Sequence, residues 1–107
     1  MVKLVALYKK PENPAEFDKR YFEGHIPIAD KMPGLRGMKI SRMVGSPSGD
    51  CQYYLMAELY FDDMDALKAA MSSPEGKAAG KDIMSFARDI VTMMFAEEQE
   101  KVPAAAC

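Results

Sequence analysis

The segment Tyr53-Tyr54-Leu55-Met56-Ala57-Glu58-Leu59-Tyr60-Phe61 carries the strongest strand signal in this 107-residue chain. Tyr53, Leu55, Ala57, Leu59 and Phe61 form one alternating set and read as core. Tyr54, Met56, Glu58 and Tyr60 form the other, and it too is largely apolar or aromatic. An antiparallel strand with one face in water alternates apolar with polar, so a strand rich in apolar groups on both sets needs cover on both faces.

Working outward, Gly45-Ser46-Pro47-Ser48-Gly49-Asp50 is an exposed loop and Leu35–Val44 reads as a strand ended on its N-terminal side by Pro33-Gly34. Upstream of that, Asn13-Pro14 with Glu16 has the chemistry of a helix start: a side-chain cap, Pro at the first position and a Glu reaching back. Phe17, Tyr21, His25, Ile28 and Met32 then recur at helical spacing. Pro27 lies within that pattern and is expected to kink or split the helix just after His25, because it lacks an amide donor and crowds the preceding turn. The first strand is Val2–Tyr8, again apolar on both sets. Downstream, Asp62 is expected to cap a short helix carrying Met64, Leu67, Ala70 and Met71. Ser73-Pro74-Glu75 restarts a second piece with Ala78, Ile83 and Phe86, softened by Gly76 and Gly80. Asp89–Ala96 reads as the fourth strand.

The order strand, helix, strand, strand, helix, strand is that of an α+β, ferredoxin-like βαββαβ sandwich: a four-stranded antiparallel sheet with the helices on one face. Three of its strands are apolar on both sets, so the second face must also be covered. Sheet-to-sheet packing into a homodimer does this most simply. Residues 1–96 form the expected domain and 97–107 a charged, Ala-rich tail.

Composition narrows the partners. Fourteen Lys and Arg against sixteen Asp and Glu give a net charge of −2, without the basic excess that binding a phosphate backbone requires, so no nucleic acid is expected. No apolar run is long enough to cross a membrane, and the first residues lack the pattern of a signal peptide, so a cytoplasmic protein is expected. One His and two scattered cysteines, Cys51 and Cys107, supply no metal-binding spacing; both thiols are expected to be reduced bystanders, and no metal or other cofactor is expected.

Among residues that could carry chemistry, His25 is the only histidine and the natural general acid or base. The alternative is an imidazole that merely satisfies a backbone carbonyl freed by Pro27. Tyr21 precedes His25 by one helical turn, and Tyr8 could present a second phenol, although buried tyrosines more often fill a core. Tyr54, Met56, Arg42 and Met94 are candidate substrate-binding residues: a phenol, two adaptable thioethers and a strand cation. Arg42 could instead pair with Glu58 across a dimer seam, which the need to compensate buried charge favours.

The runs Ala6-Leu7-Tyr8-Lys9-Lys10-Pro11, Phe17-Asp18, Tyr21-Phe22-Glu23-Gly24-His25-Ile26-Pro27, Pro33-Gly34-Leu35-Arg36, Tyr54–Phe61 and Ser73-Pro74-Glu75-Gly76 resemble the EthD family, named for a protein linked to ethyl tert-butyl ether degradation. His-x-Pro and Ser-Pro-Glu-Gly are the most specific parts. The resemblance implies a dimeric α+β barrel, in which two ferredoxin-like sheets close around an internal cavity in each subunit. It also implies kinship with cofactor-free monooxygenases acting on polyketide quinones, muconolactone isomerases, polyketide cyclases and haem-dependent enzymes, so the fold alone does not settle the chemistry. The expected function is binding of an aromatic, polyketide-like or ether-derived small molecule, with oxidoreductase, monooxygenase or cyclase-type chemistry in a degradation or secondary-metabolism pathway. The alternative is a non-catalytic accessory protein supporting a partner oxygenase.

Overall fold

A computed structural model describes residues 1–99 of the chain. The element order is β1 (Val2–Lys9), α1 (Pro14–Lys19), a π-helical turn (Arg20–His25), α2 (Ile26–Ala29), β2 (Gly37–Arg42), β3 (Tyr53–Phe61), α3 (Met64–Ser72), α4 (Pro74–Ala87) and β4 (Val91–Glu97). The strands form one antiparallel sheet in the order β2-β3-β1-β4, the ferredoxin-like α+β arrangement that the strand and helix order predicts.

Register decides which side chains share a face. Leu4 stands opposite Leu59 and Phe95, and Ala6 opposite Ala57 and Met93. Met38 and Ile40 stand opposite Leu59 and Ala57. Since side chains alternate along a strand, Val2, Leu4, Ala6 and Tyr8 join Leu55, Ala57, Leu59 and Phe61 on the face that packs against Phe17, Tyr21, Ala29, Leu67, Ala79 and Ile83 of the helices. Lys3, Val5, Leu7, Met56, Glu58 and Met94 occupy the other face. Tyr54 escapes this alternation. The β1–β3 pairing passes from Tyr8–Leu55 to Lys9–Tyr53, leaving Tyr54 as an extra residue. Its ring lies edge-on to Phe17 and its hydroxyl donates to Asp18 at 2.8 Å.

The caps explain where the helices begin. Asn13 accepts from the Glu16 amide at 3.1 Å, with Pro14 at the first helical position. Asp63, rather than Asp62, caps α3 by accepting from the Ala66 amide at 2.8 Å; Asp62 pairs with Arg36 instead. Ser73 ends α3 through its amide and starts α4 by accepting from the Gly76 amide at 3.0 Å. The buried stripe of α4 runs through Gly76, Ala79, Ile83 and Ala87, so Ala79 and not Ala78 faces the core. β4 begins two residues later than its pattern suggests, because Ile90 is still held by the Ala87 carbonyl.

The Pro27 effect takes a definite form. The Ile26 amide bonds back five residues to the Tyr21 carbonyl, widening the turn. A wider turn relieves the crowding between a proline ring and the carbonyl four residues earlier. The helix therefore continues through Pro27 into α2 instead of breaking.

Candidate functional site

Between the helix-facing side of the sheet and α2, α3 and α4 lies an apolar cavity of about 70 Å³. Its sheet wall is Leu4, Ala6, Tyr8, Met38, Ala57, Leu59 and Met93. The helices close it with Tyr21, His25, Met32, Gly80, Ile83 and neighbouring residues. Tyr8, Tyr21 and His25 are all buried and, among the described residues, supply its only polar side-chain groups.

These three rings form a chain. Tyr8 meets Tyr21 edge-on with centroids 5.2 Å apart, and Tyr21 stacks on His25 at 5.5 Å. Burial pushes the Tyr21 phenol up to about 12, although its contact with Tyr8 acts the other way. Burial raises Tyr8 further, helped by the proximity of Tyr21. Both phenols are therefore neutral across the physiological range, in the form that can donate a hydrogen bond rather than act as a base.

His25 is held from behind. Its Nδ1 lies 3.0 Å from Oδ2 of Asp82 on α4. Asp82 is also gripped by Arg20, whose Nη2 donates to Oδ1 at 2.7 Å and whose Nη1 donates to Oδ2 at 3.3 Å. Arg20 in turn lies over Phe86, with 4.5 Å between guanidinium carbon and ring centroid. The fork-like guanidinium suits this two-point grip. Its hydrogen bonds, foremost, hold the Asp82 carboxyl below the usual carboxylate range. Burial dominates at His25 and lowers its pKa, with a smaller contribution from the positive Arg20 and partial opposition from Asp82. The imidazole is thus neutral near pH 7. When Nδ1–H is donated to Asp82, the lone pair is left on Nε2, the arrangement a proton acceptor needs, and the ring lines the cavity.

Of the residues singled out in the sequence, His25, Tyr21 and Tyr8 meet at this cavity. Tyr54 and Arg42 lie outside it: the Arg42 guanidinium stacks over the Tyr54 ring at 5.1 Å and pairs with Asp18 at 3.4 Å. Met56 and Met94 belong to the opposite face of the sheet, where their strand positions stand across from Leu7 and Val5. Within the protomer Arg42 and Glu58 stand on opposite faces of the sheet and each has its own partner: Arg42 pairs with Asp18, and Glu58 binds Lys3 at 2.6 Å. The methionines on the cavity are Met32, Met38, Met71 and Met93. Asp82 and Arg20 were missed by the sequence reading. The available signal was weak: an acidic residue next to the buried position Ile83, and an arginine five residues before the single histidine. Among the described residues no cluster of His, Cys, Asp and Glu could hold a metal ion, and no helix is long and apolar enough to cross a membrane. Cys51 is a free thiol in a half-buried position; Cys107 and most of the expected tail lie outside the described residues.

Residues 9–99 match the EthD domain. The chain belongs to the EthD family. An EthD family protein from Bacillus halodurans is 52% identical in sequence, with a TM-score of 0.90, over 92% of this chain and 99% of that one. An uncharacterized 11.0 kDa protein from the thcB-thcC intergenic region of Rhodococcus erythropolis is 30% identical over 96% of this chain and all of its own length. The fold is shared more distantly by SnoaB, a cofactor-independent oxygenase from Streptomyces nogalater (18% identity, TM-score 0.69, covering 95% and 96% of the two chains). A hydroxynitrile lyase from Passiflora edulis is likewise similar in fold (12% identity, TM-score 0.75, also 95% and 96%). At that identity the likeness concerns the fold alone.

Proposed function

We propose that this EthD protein is a homodimeric, cofactor-free enzyme that removes a proton from a neutral, hydrophobic small molecule, with His25 Nε2 as the base. The observation that carries this reading is the Arg20–Asp82–His25 chain ending at an apolar cavity. Asp82 fixes the imidazole tautomer, and burial keeps the ring unprotonated. Tyr21 and Tyr8, neutral phenols on the same cavity wall, would donate hydrogen bonds to the oxygen on which negative charge collects after the proton leaves. A dry wall of methionine and aliphatic groups strengthens those interactions. The carbanion or enolate so formed can be reprotonated, giving isomerase or cyclase-type chemistry. It can also be captured by dioxygen; in the oxygenase branch a methylene becomes a carbonyl and one dioxygen is reduced to one water plus the new carbonyl oxygen.

The probe is 2-tetralone, a neutral two-ring ketone with an activated benzylic methylene. Solvent deuterium entering that methylene reports proton transfer, and oxygen uptake reports the oxidative branch. His25→Ala is expected to slow exchange by about 10²–10⁴-fold. The wild-type rate is expected to rise with pH up to a pKa below the ordinary imidazole value of about 6.5 and to stay flat above it. Exchange at the wild-type rate in the folded variant overturns the assignment. Binding of the probe by the wild type without any exchange favours a non-catalytic ligand-binding accessory protein.

A further inference from the structure

Two glycines of α4 line the cavity, and their surroundings are opposite. A Cβ on Gly76 would overlap the Ala70 carbonyl oxygen and crowd the Met71 backbone, so glycine there is what lets α3 and α4 approach. A Cβ on Gly80 would meet nothing within 4 Å. Nor does the backbone ask for glycine at 80, which lies inside α4 and outside the positive-φ positions Gly34, Gly45 and Gly49. Glycine within a helix is less stable than alanine. Position 80 thus gives up helix stability without a packing or backbone reason, and what it leaves is open room on the cavity wall.

That room lies at the rim. Gly80 is half-buried, and its neighbours in the lining, Met71 and Met93, are each 37% exposed, whereas Tyr8, Tyr21, Ala79 and Ile83 are buried. The polar end of the same cavity is His25, 7% exposed, whose Nδ1 is taken up by Asp82. Among the described residues no Lys, Arg, Asp or Glu lines the wall, so a charged ligand would lose its hydration without a counter-charge. We propose that Gly80 is the size-determining position of this cavity: its missing side chain leaves open space at the rim, so that an uncharged ligand of about two fused rings, too large for the cavity of about 70 Å³ alone, inserts one edge and lies across the rim against α4, with Met71 and Met93 as flexible flanks. This rests on the ligand-cavity reading above.

The test uses 2-naphthol, neutral and two-ringed, with phenol as the one-ring control, titrated by fluorescence and calorimetry into the full-length wild type, Gly80→Leu and Gly80→Ala. Gly80→Leu is expected to weaken 2-naphthol about tenfold or more and phenol by less than about threefold. Gly80→Ala is expected to raise Tm by about 3–6 °C and to weaken 2-naphthol by less than Gly80→Leu does. Unchanged 2-naphthol affinity in a folded Gly80→Leu, or a Gly80→Ala less stable than wild type, overturns the proposal while leaving the cavity reading intact. A folded wild type that binds neither probe overturns the cavity reading and this inference with it. Should Gly80→Leu not fold, Gly80→Ala decides: a Tm that does not rise together with 2-naphthol affinity that does not fall overturns the proposal.

Discussion

The chemistry of the single residue His25 depends on two neighbours that do not touch the cavity. Asp82 favours the protonated ring and Arg20 opposes it, while burial outweighs both. Replacing Arg20 by Ala removes a positive charge and opens the site to water, so both effects raise the imidazole pKa. Because the chain has one histidine, its ring proton resonances give that titration without ambiguity; an unchanged or lowered pKa in Arg20→Ala would sink this account. The same shift makes stability depend on pH. A histidine whose folded pKa is depressed is protonated first in the unfolded chain, so stability is complete above about 6.5 and falls as pH drops toward the folded value. Asp82, also depressed, adds a second loss at more acid pH, below the ordinary carboxylate value. Tm measured from pH 8 to 3 is expected to fall in both windows, and His25→Gln is expected to flatten only the upper one.

At the scale of elements, the junction between α3 and α4 shows how small residues place the site. Asp82 reaches His25 because α4 lies close across the helical segment that carries Arg20 and His25, and α4 is anchored at its start by the Ser73 cap and the Gly76 approach to α3. Gly76→Ala forces a backbone shift there, with an expected cost of about 1–3 kcal/mol, the range for overpacked interiors, checked by urea unfolding. A cost near zero would mean that α4 slides freely and that its placement of Asp82 is not fixed at this end. Much of this layout was legible in the sequence. Period-two alternation gave the extent of β3 and nearly that of β1, while Asn13-Pro14 and Ser73-Pro74 gave two helix starts. What alternation could not give was register between strands. Met56 and Met94, expected to bind substrate, lie on the face away from Tyr8, and Met38 and Met93 line the cavity instead. Asp82 was illegible for a related reason: a helix pattern shows which face is apolar, but not which polar neighbour of that face will find a partner 57 residues away.

At the scale of the whole molecule, the face of the sheet turned from the helices is the remaining question. It carries Val5, buried within the protomer, and the half-buried Leu7 and Met56, with Met94 40% exposed. A compact polar cluster interrupts them: Lys3 pairs with Glu58, Tyr60 donates to Glu58, and Lys3 and Lys39 both lie over the Tyr60 ring. Charges already paired within the protomer can be covered by another surface at lower cost than unpaired ones. Apolar groups flanking a centre in which Lys3 and Glu58 are paired suit a self-complementary two-fold contact better than a solvated face. A sheet-to-sheet dimer would also stiffen β1 and β3 from behind, and these strands hold Tyr8 and Ala57 against the cavity. Sedimentation equilibrium at micromolar concentration is therefore expected to give a dimer. Leu7→Glu, which places an unpaired carboxylate in the centre of that face, is expected to shift it toward monomer and to weaken 2-naphthol binding with it. A wild-type monomer would refute the pairing. A Leu7→Glu monomer that binds 2-naphthol as tightly as the wild type would show that the cavity needs no support from a second copy.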